Sequence, residues 1–443
     1  MGGGLIQLVA YGAQDVYLTG NPQITFFKVA YRRHTNFAIE AIEQTFNGTS
    51  SFGSRVTCQI TRNGDLISRV YFTGTISNDN TAVTAPGLNK PVALVPYFGL
   101  KLLKTIELEI GGQRIDKHYS EWLYIWNELS LPVGKREGYK LMVGGDKYNR
   151  SIILNAKNTY SLYVPLEFWF CRNVGLALPL IALQYHEVKI NIEFESASNM
   201  VDTGLNYSDR ATGGLYDADG GAIAGTKLNS ELTSTSTSIS LTAASLWVDY
   251  IFLDTDERRR FAQLSHEYLI EQLQFTGADT VSGNTSNSMK TIRMNFNHPC
   301  KELIWVVKPD AATTGLVSNP YWNNFTDRNT DNQYIIGRNP ITLAKIQLNG
   351  NDRFAERKGS YFNLVQPYQH HECTPNLFNN GINVYSFAIK PEDHQPSGTL
   401  NMSRIDTAVL SVSSVVNGTI YIYTVNYNVL RILSGMGGLA YSN

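Results

Sequence analysis

Apolar and polar residues alternate with a period of two in several separate stretches of the chain, and this alternation constrains the fold more than any other feature. Successive side chains of a β-strand point to opposite faces of its sheet, so each such stretch has one apolar and one polar face. That pattern is typical of antiparallel sheets with one buried and one solvated face. The stretches predicted as strands on this basis are 55–61, 105–110, 187–194 and 292–296.

Two further stretches, Leu303–Val307 and Ile420–Val425, are largely apolar or aromatic, which predicts strands covered on both faces. Only 17% of the 443 residues are charged, against about 25% in a typical domain. Because long surface helices need charged residues, this composition also favours β structure. The length is enough for two or three domains.

Two short helices are predicted between the strands. The first has its apolar residues at helical spacing after a capping Ser120; these residues are Trp122, Ile125, Trp126 and Leu129. The second opens at Asp254, where Glu257 three residues later resembles a capping box, and runs through Phe261 and Leu264. The basic run Arg258–Arg260 on it predicts a solvated helix with salt bridges.

The two halves of the chain resemble each other faintly. Leu108–Arg114 in the first half matches Ile346–Arg353 in the second, with one inserted residue. The segments 164–170 and 187–195 have counterparts at 384–389 and 407–413. Two β-sandwiches in tandem fit both this repeat and the length.

Two regions do not fit the sandwiches. Residues 1–23 are Gly-rich and contain no Lys or Arg; since arms that bind nucleic acid are basic, we expect this arm to contact protein. Residues 196–245 are rich in Gly, Ser, Thr, Asp and Asn, and predict a long exposed loop.

No catalytic motif is present, and we predict no enzyme, catalytic residue, cofactor or metal. The GxGxxA run at 435–440 has no following helix to bind a dinucleotide and predicts close backbone packing. His186-Glu187 and His266-Glu267 lack the second histidine of a zinc motif. Residues 370–373 are interpreted as a polar loop, and a metal cluster there is the less favoured alternative.

Other classes are excluded by charge and hydropathy. A net charge of −1, from 37 basic and 38 acidic residues, does not suit a protein that wraps nucleic acid. We see no apolar run of the ~20 residues that a transmembrane helix needs, no secretory signal and, with Ile6 at the sixth position, no myristoylation motif. The four separated cysteines predict free buried thiols.

Seven Asn-x-Ser/Thr sequons occur, a number that chance can produce in a chain rich in these residues. Asn284 and Asn324 are the candidates for glycosylation.

Several long runs, which span both ends and most of the middle of the chain, are distinctive. They are GGLIQLVAYGAQDVYLTGNPQITFFK at 3–28, YRRHTNF at 31–37, IGGQRIDKH at 110–118, GLALPLIALQYHEVK at 175–189, WVDYIFLD at 247–254, HEYLIEQLQFTG at 266–277, QPSG at 395–398, YNVLR at 427–431 and SGMGGLAY at 434–441. These runs strongly resemble the major capsid proteins of large nucleocytoplasmic DNA viruses, especially those of algal viruses such as the chlorella viruses.

The resemblance implies an all-β fold of two tandem eight-stranded antiparallel jelly rolls, a double jelly roll. It places an arm at 1–23, the first jelly roll at 24–255 with the loop 196–245, and the second at 256–443. It implies a homotrimer that forms a pseudo-hexameric capsomer in the icosahedral outer shell of a large double-stranded DNA virus. The loops 76–95, 196–245 and 309–332 are unlike the family's and are expected to set the outer surface.

The resemblance further implies a late, glycosylated virion protein assembled in the host cytoplasm. Its expected partners are neighbouring capsomers, minor capsid and penton proteins and surface glycans. The shell lies over an internal membrane that the chain does not enter, without direct contact to nucleic acid. The alternatives are a carbohydrate-binding β-sandwich protein, suggested by the aromatic and Asn content, and a nucleic-acid coat, which predicts salt-sensitive DNA binding.

Overall fold

A computed structural model describes residues 3–78, 93–145, 159–202, 239–283, 288–310, 322–327, 337–375 and 381–441. The chain divides into two compact units, Met1–Phe37 and Ala38–Asn443. The described part of the first unit holds two short helices, α1 (Gly3–Val9) and α2 (Val16–Thr19), and none of its residues is buried. It extends to Phe37, whereas the predicted arm ends at residue 23.

The first half of the large unit contains two sheets in which all registered pairs are antiparallel. In the first sheet the order is β1-β11-β3-β7, with β8 beside β3, and in the second it is β2-β9-β5-β6; β4 and β10 pair separately. The strands are β1 (Phe37–Gln44), β2 (Arg55–Gln59), β3 (Leu66–Asn78), β4 (Ala93–Leu94), β5 (Leu103–Ile110), β6 (Gln113–Tyr119), β7 (Thr159–Pro165), β8 (Leu178–Pro179), β9 (Val188–Phe194), β10 (Val201–Asp202) and β11 (Ile239–Leu253). Phe72 of β3 and Phe194 of β9 lie with ring centroids 5.7 Å apart, so the two sheets pack face to face.

The second half repeats this arrangement. One sheet has the order β12-β21-β14-β18, with β19 beside β14 and β22 beside β21, and the other has the order β13-β20-β15-β16, with β17 beside β15. The strands are β12 (His266–Val281), β13 (Lys290–Met294), β14 (Pro299–Pro309), β15 (Ile341–Leu348), β16 (Asn351–Asp352), β17 (Arg357–Lys358), β18 (Asn383–Ser386), β19 (Leu400–Asn401), β20 (Ala408–Ser414), β21 (Gly418–Leu433) and β22 (Met436–Leu439). Its core contains Trp305 of β14, Ile346 of β15 and Leu410 of β20, which join the two sheets.

The strand orders of the two halves correspond one to one, with β1, β2, β3, β5, β6, β7, β9 and β11 matching β12, β13, β14, β15, β16, β18, β20 and β21. The faint sequence repeat agrees with this correspondence, because its first matched segments form the hairpins β5–β6 and β15–β16. Both hairpins turn through two residues with positive φ, Gly111-Gly112 and Asn349-Gly350, the backbone that favours tight hairpins. The prediction of two tandem eight-stranded jelly rolls is confirmed.

The remaining helices are short, as predicted. They are α3 (Phe98–Leu102), α4 (Ser120–Ser130), α5 (Val133–Val143), α6 (Trp169–Arg172), α7 (Thr255–Gln263) and α8 (Gln366–His370), with 3-10 turns at Val174–Leu176, Ala197–Asn199 and Met402–Arg404 and a π turn at Tyr361–Val365. No helix in the described ranges is long and apolar enough to cross a bilayer.

Both predicted helices form, and one of the two predicted N-caps, Asp254, is confirmed. Ser120 is the first residue of α4 rather than its cap, because its buried hydroxyl donates to Glu121 at 2.9 Å. Asp254 does cap α7 by accepting the Thr255 N–H at 2.8 Å. Glu257 pairs with Arg260 at 3.1 Å, and this exposed pair takes the place of the reciprocal bond of a capping box.

Most of the predicted loop 196–245 lies outside the described residues, which resume at 239. The structure corrects the end of this loop, because β11 starts at Ile239 rather than at 246. Hydroxyl pairs across β3 and β11 extend the ladder: Ser77 and Ser240 lie 2.6 Å apart, and Thr73 and Ser245 lie 2.9 Å apart. Such cross-strand pairs stabilise a sheet even where the sequence is polar.

Candidate functional site: the junction and the exposed apolar surface

Helix α4 lies between the two sandwiches and is buried along most of its length. Trp122 packs on Tyr423 of β21 with ring centroids 5.5 Å apart. On β14, Trp305 faces the core of the second sandwich, whereas Ile304 belongs to the core that includes α4. This double burial explains the two apolar runs in the sequence, and the prediction of strands covered on both faces is confirmed.

Polar contacts next to α4 fix the position of the two sandwiches. Asp116 of β6 accepts the backbone N–H of Leu273 on β12 at 3.1 Å. Gln272 donates a short hydrogen bond to the carbonyl of Ile115, and its own amide oxygen accepts from Asn428 at 2.9 Å. A shift of one sandwich against the other would leave these buried polar groups without partners. The contacts therefore favour a single relative position of the two sandwiches.

A buried charged group crosses the same junction. Glu271 of β12 lies 2.6 Å from Lys301 of β14 and 3.0 Å from Arg172 of α6. The Lys301 side chain is 1% exposed, and the Arg172 guanidinium lies over the ring of Trp126 at 4.1 Å. Removing one member of such a group leaves an uncompensated buried charge, which costs about 3–5 kcal/mol.

The segment 370–373, considered in the sequence as a metal cluster, connects the sandwiches through hydrogen bonds. His371 lies 2.9 Å from Glu302 of β14 and 2.6 Å from Glu392. Burial lowers the pKa of His371, but the two carboxylates outweigh it and raise that pKa to about 9. Cys373 donates from its N–H to the carbonyl of Leu129 at the end of α4, at 3.0 Å. Within the described ranges no group of three His, Cys, Asp or Glu side chains could hold a metal.

The other motifs noted in the sequence have structural roles. His186 Nδ1 lies 2.8 Å from the Gly437 carbonyl, and His266 Nε2 lies 2.8 Å from the Phe261 carbonyl. Gly435 has φ +79° in the turn between β21 and β22, and a Cβ at Gly437 would lie 2.6 Å from Leu183. The prediction of close backbone packing in this Gly-rich run is confirmed.

All four cysteines are free, as predicted. Three are buried and Cys171 is half-buried. Burial raises the pKa of each thiol, that of Cys58 to about 11. The thiols are therefore protonated and unreactive at neutral pH.

Of the two candidate glycosylation residues, the structure describes Asn324 but not Asn284. Asn284 lies outside the described residues. Asn324 is half-buried, and its side-chain oxygen accepts from the N–H and the hydroxyl of Thr326 at 3.0 and 2.7 Å. Glycosylation of either residue stays a prediction.

The small N-terminal unit exposes an unusual amount of apolar surface. A chain segment with this much exposed apolar area is typical of a protein-binding element. The side chains there that are more than half exposed are Leu5, Ile6, Leu8, Val9, Tyr11, Val16, Tyr17, Leu18, Ile24, Phe26, Phe27, Val29, Tyr31 and Phe37. In the large unit, β1 is an edge strand on which only Gln44 is buried, and its Ile39 is 51% exposed.

The sequence did not reveal the Glu271 group or the carboxylate partners of His371. Glu302 and Glu392 are 69 and 21 residues from His371 in sequence, and only the folded β14 and the 390s segment bring them to it. One feature of the sequence pointed to buried charges: in β14, Lys301 and Glu302 come directly before five consecutive apolar residues. A strand buried on both faces forces its charged residues to find buried partners.

Comparisons with known proteins place the chain in one family. Residues 25–254 match the family model "Major capsid protein N-terminus", and residues 257–438 match "Large eukaryotic DNA virus major capsid protein". The major capsid protein of Pyramimonas orientalis virus is 50% identical, and that of Paramecium bursaria Chlorella virus 1 is 45% identical, each over the full length of both chains.

Solved structures agree with this placement. The PBCV-1 VP54 structure, fitted into a reconstruction of the virophage Sputnik, is 40% identical with a TM-score of 0.73 and covers 95% of this chain and 100% of its own. The Faustovirus major capsid protein, at 13% identity, has a TM-score of 0.71 over 96% of this chain and 94% of its own, which shows the shared fold. The chain therefore belongs to the major capsid proteins of large eukaryotic DNA viruses, a structural and non-enzymatic family whose members form the virion shell.

Proposed function

We propose that this capsid protein assembles as a homotrimer into a pseudo-hexameric capsomer, and that these capsomers tile an icosahedral shell. The matched strand order of its two sandwiches carries this proposal. Three copies of a chain with two similar sandwiches present six similar lobes, and a closed ring of three copies is a common symmetry of homo-oligomers. The rigid junction supports the proposal, because a lobe pair fixed by buried contacts has a constant shape.

The N-terminal unit and strand β1 are the proposed protein-binding elements of the capsomer. Both expose apolar side chains, and the unit carries no Lys or Arg before Lys28. An apolar and weakly charged segment suits burial against another protein better than contact with phosphate. Its partners in the proposal are neighbouring chains and the minor capsid and penton proteins, with no direct contact to nucleic acid.

We propose the domain division predicted from the sequence: an arm at 1–23, a first jelly roll at 24–255 and a second at 256–443. The two family matches, at 25–254 and 257–438, support the central boundary. Limited proteolysis of the native chain tests it: a first cut at the exposed residues 254–256 would support the boundary, whereas first cuts within the strands of either jelly roll would contradict it.

The remaining parts of the proposal concern the virion. We expect the chain to be expressed late in infection and assembled in the host cytoplasm. We also expect it to form an outer shell over an internal membrane that it does not enter. Surface glycans at Asn284 or Asn324 belong to the same proposal. Mass spectrometry of tryptic peptides from virions would detect sugar on either residue, and unmodified peptides at both would contradict it.

Light scattering on the purified protein tests the trimer. We expect a stable species of about 150 kDa, three times the chain mass of 49.4 kDa. A deletion of residues 1–23 serves as the comparison, and should weaken association between capsomers while leaving the folded chain intact. A monomer of 49.4 kDa that is unchanged at high concentration would contradict the proposed trimer.

A further inference from the structure

A small cavity lies at the junction, beside the Glu271 group. Its volume is about 10 Å³, which is about the room that one water molecule needs. Both sandwiches contribute to its lining: Asp116, His118, Trp122 and Arg172 come from the first, and Gln272 from the second.

Three buried polar atoms belong to side chains that line this cavity and have no hydrogen-bond partner among the described residues. They are Nδ1 of His118, Nε1 of Trp122 and Nε of Arg172. The His118 and Trp122 side chains are almost fully buried. The Arg172 Nε lies 3.9 Å from Glu167, which is too long for a hydrogen bond. Buried polar groups without a partner are rare, and ordered water commonly satisfies them.

We infer that this cavity is a binding site for one ordered water molecule that bridges His118, Trp122 and Arg172. The indole and guanidinium N–H groups donate to the water oxygen. His118 Nε2 lies 3.0 Å from Asp116, and when it carries the ring proton it donates to that carboxylate, so Nδ1 accepts a hydrogen from the water. The water's second hydrogen faces the carboxylates that line the cavity.

The chemistry of the lining favours water over an ion. Asp116, Glu167 and Glu271 line the cavity and disfavour an anion. Arg172 lines it too, and two of the three unpaired atoms are obligate N–H donors, which disfavours a metal cation. A neutral molecule that accepts two hydrogen bonds and donates two fits this arrangement.

A structure of the intact protein, determined at a resolution at which other buried waters are visible, tests the site directly. We expect a density peak about 2.7–3.2 Å from each of the three nitrogen atoms. Absence of density there, or a rearrangement that pairs the three atoms with protein groups, would overturn the inference. Because the site lies within one chain, neither result depends on the trimer.

Two matched variants sharpen the test. Trp122→Phe removes one donor and keeps a ring against Tyr423, whereas Trp247→Phe changes an exposed indole on β11 that does not line the cavity. We expect the water density to be lost or clearly weakened in Trp122→Phe and retained in Trp247→Phe. Unchanged density in Trp122→Phe, or equal loss in both variants, would show that the indole N–H does not hold the water.

Discussion

The two sandwiches share one strand order but differ at the end of the hairpin in their second sheet. In the first, β6 has seven residues and continues into α4, whereas its counterpart β16 has two residues and does not lead directly into a helix. The first sandwich thus supplies a buried helix to the junction, and the second supplies the outer face of β14 and β21. A helix that is present in only one of the two repeated sandwiches can therefore join both into one rigid body.

The largest expected effects test whether the two cores are equally important. Phe194→Ala in the first core and Phe362→Ala in the second each remove a fully buried ring, and each should lower the free energy of unfolding by about 3–5 kcal/mol. Denaturant titration measures both. If one variant were nearly neutral, the two sandwiches would not contribute equally to the fold.

The junction itself is tested by Glu271→Ala. This change leaves Lys301 and Arg172 without their shared carboxylate, so unfolding should become easier by about 3–5 kcal/mol. Glu267→Ala on the same strand is the matched control, because Glu267 is exposed and its pair with Arg431 contributes about 0–1 kcal/mol. Equal losses in the two variants would contradict a junction held by buried charge.

Stability should depend on pH through His371. Its pKa of about 9 in the folded chain exceeds the unfolded value of 6.5, so its contribution is fully present below pH 6.5. On the order of 3 kcal/mol is then lost as the pH rises through the folded pKa. Chemical denaturation at a series of pH values measures this loss. His371→Gln should flatten the profile in that window. His370→Gln, at a half-buried neighbour that contacts the Ile389 carbonyl, should not. A wild-type profile without the loss would contradict the stabilising role of the two carboxylates around His371.

The smallest effects test the hairpins that the two sandwiches share. Gly112→Ala and Gly350→Ala place a side chain at φ +80° and +79° in open space, so backbone strain alone should cost about 1–2 kcal/mol each. Gly138→Ala in α5 also meets open space but has helical backbone, and should stabilise the chain by about 0.5–1 kcal/mol. Thermal melts compare the three, and unequal costs at Gly112 and Gly350 would mean that the two turns are not equivalent.

The local parts of the fold could be predicted from the sequence, and the long-range parts could not. Alternation identified the strands that contain Val56, Ile106, Ile190 and Ile292, because the period of two depends only on neighbours in sequence. The cap at Ser120 was wrong because burial gave its hydroxyl another partner.

The site was harder to predict because its partners are distant in sequence. Lys301 and Glu271 are 30 residues apart, and no spacing rule links them. The segment containing His371 was predicted as a polar loop, but its role depends on carboxylates that only the tertiary fold brings together.

Electron microscopy of the purified protein tests the central claim most directly. If two similar sandwiches held by a rigid junction form a trimeric capsomer, class averages should show three-fold particles with six lobes and a hexagonal outline. Particles with two lobes, or assemblies without three-fold symmetry, would contradict it.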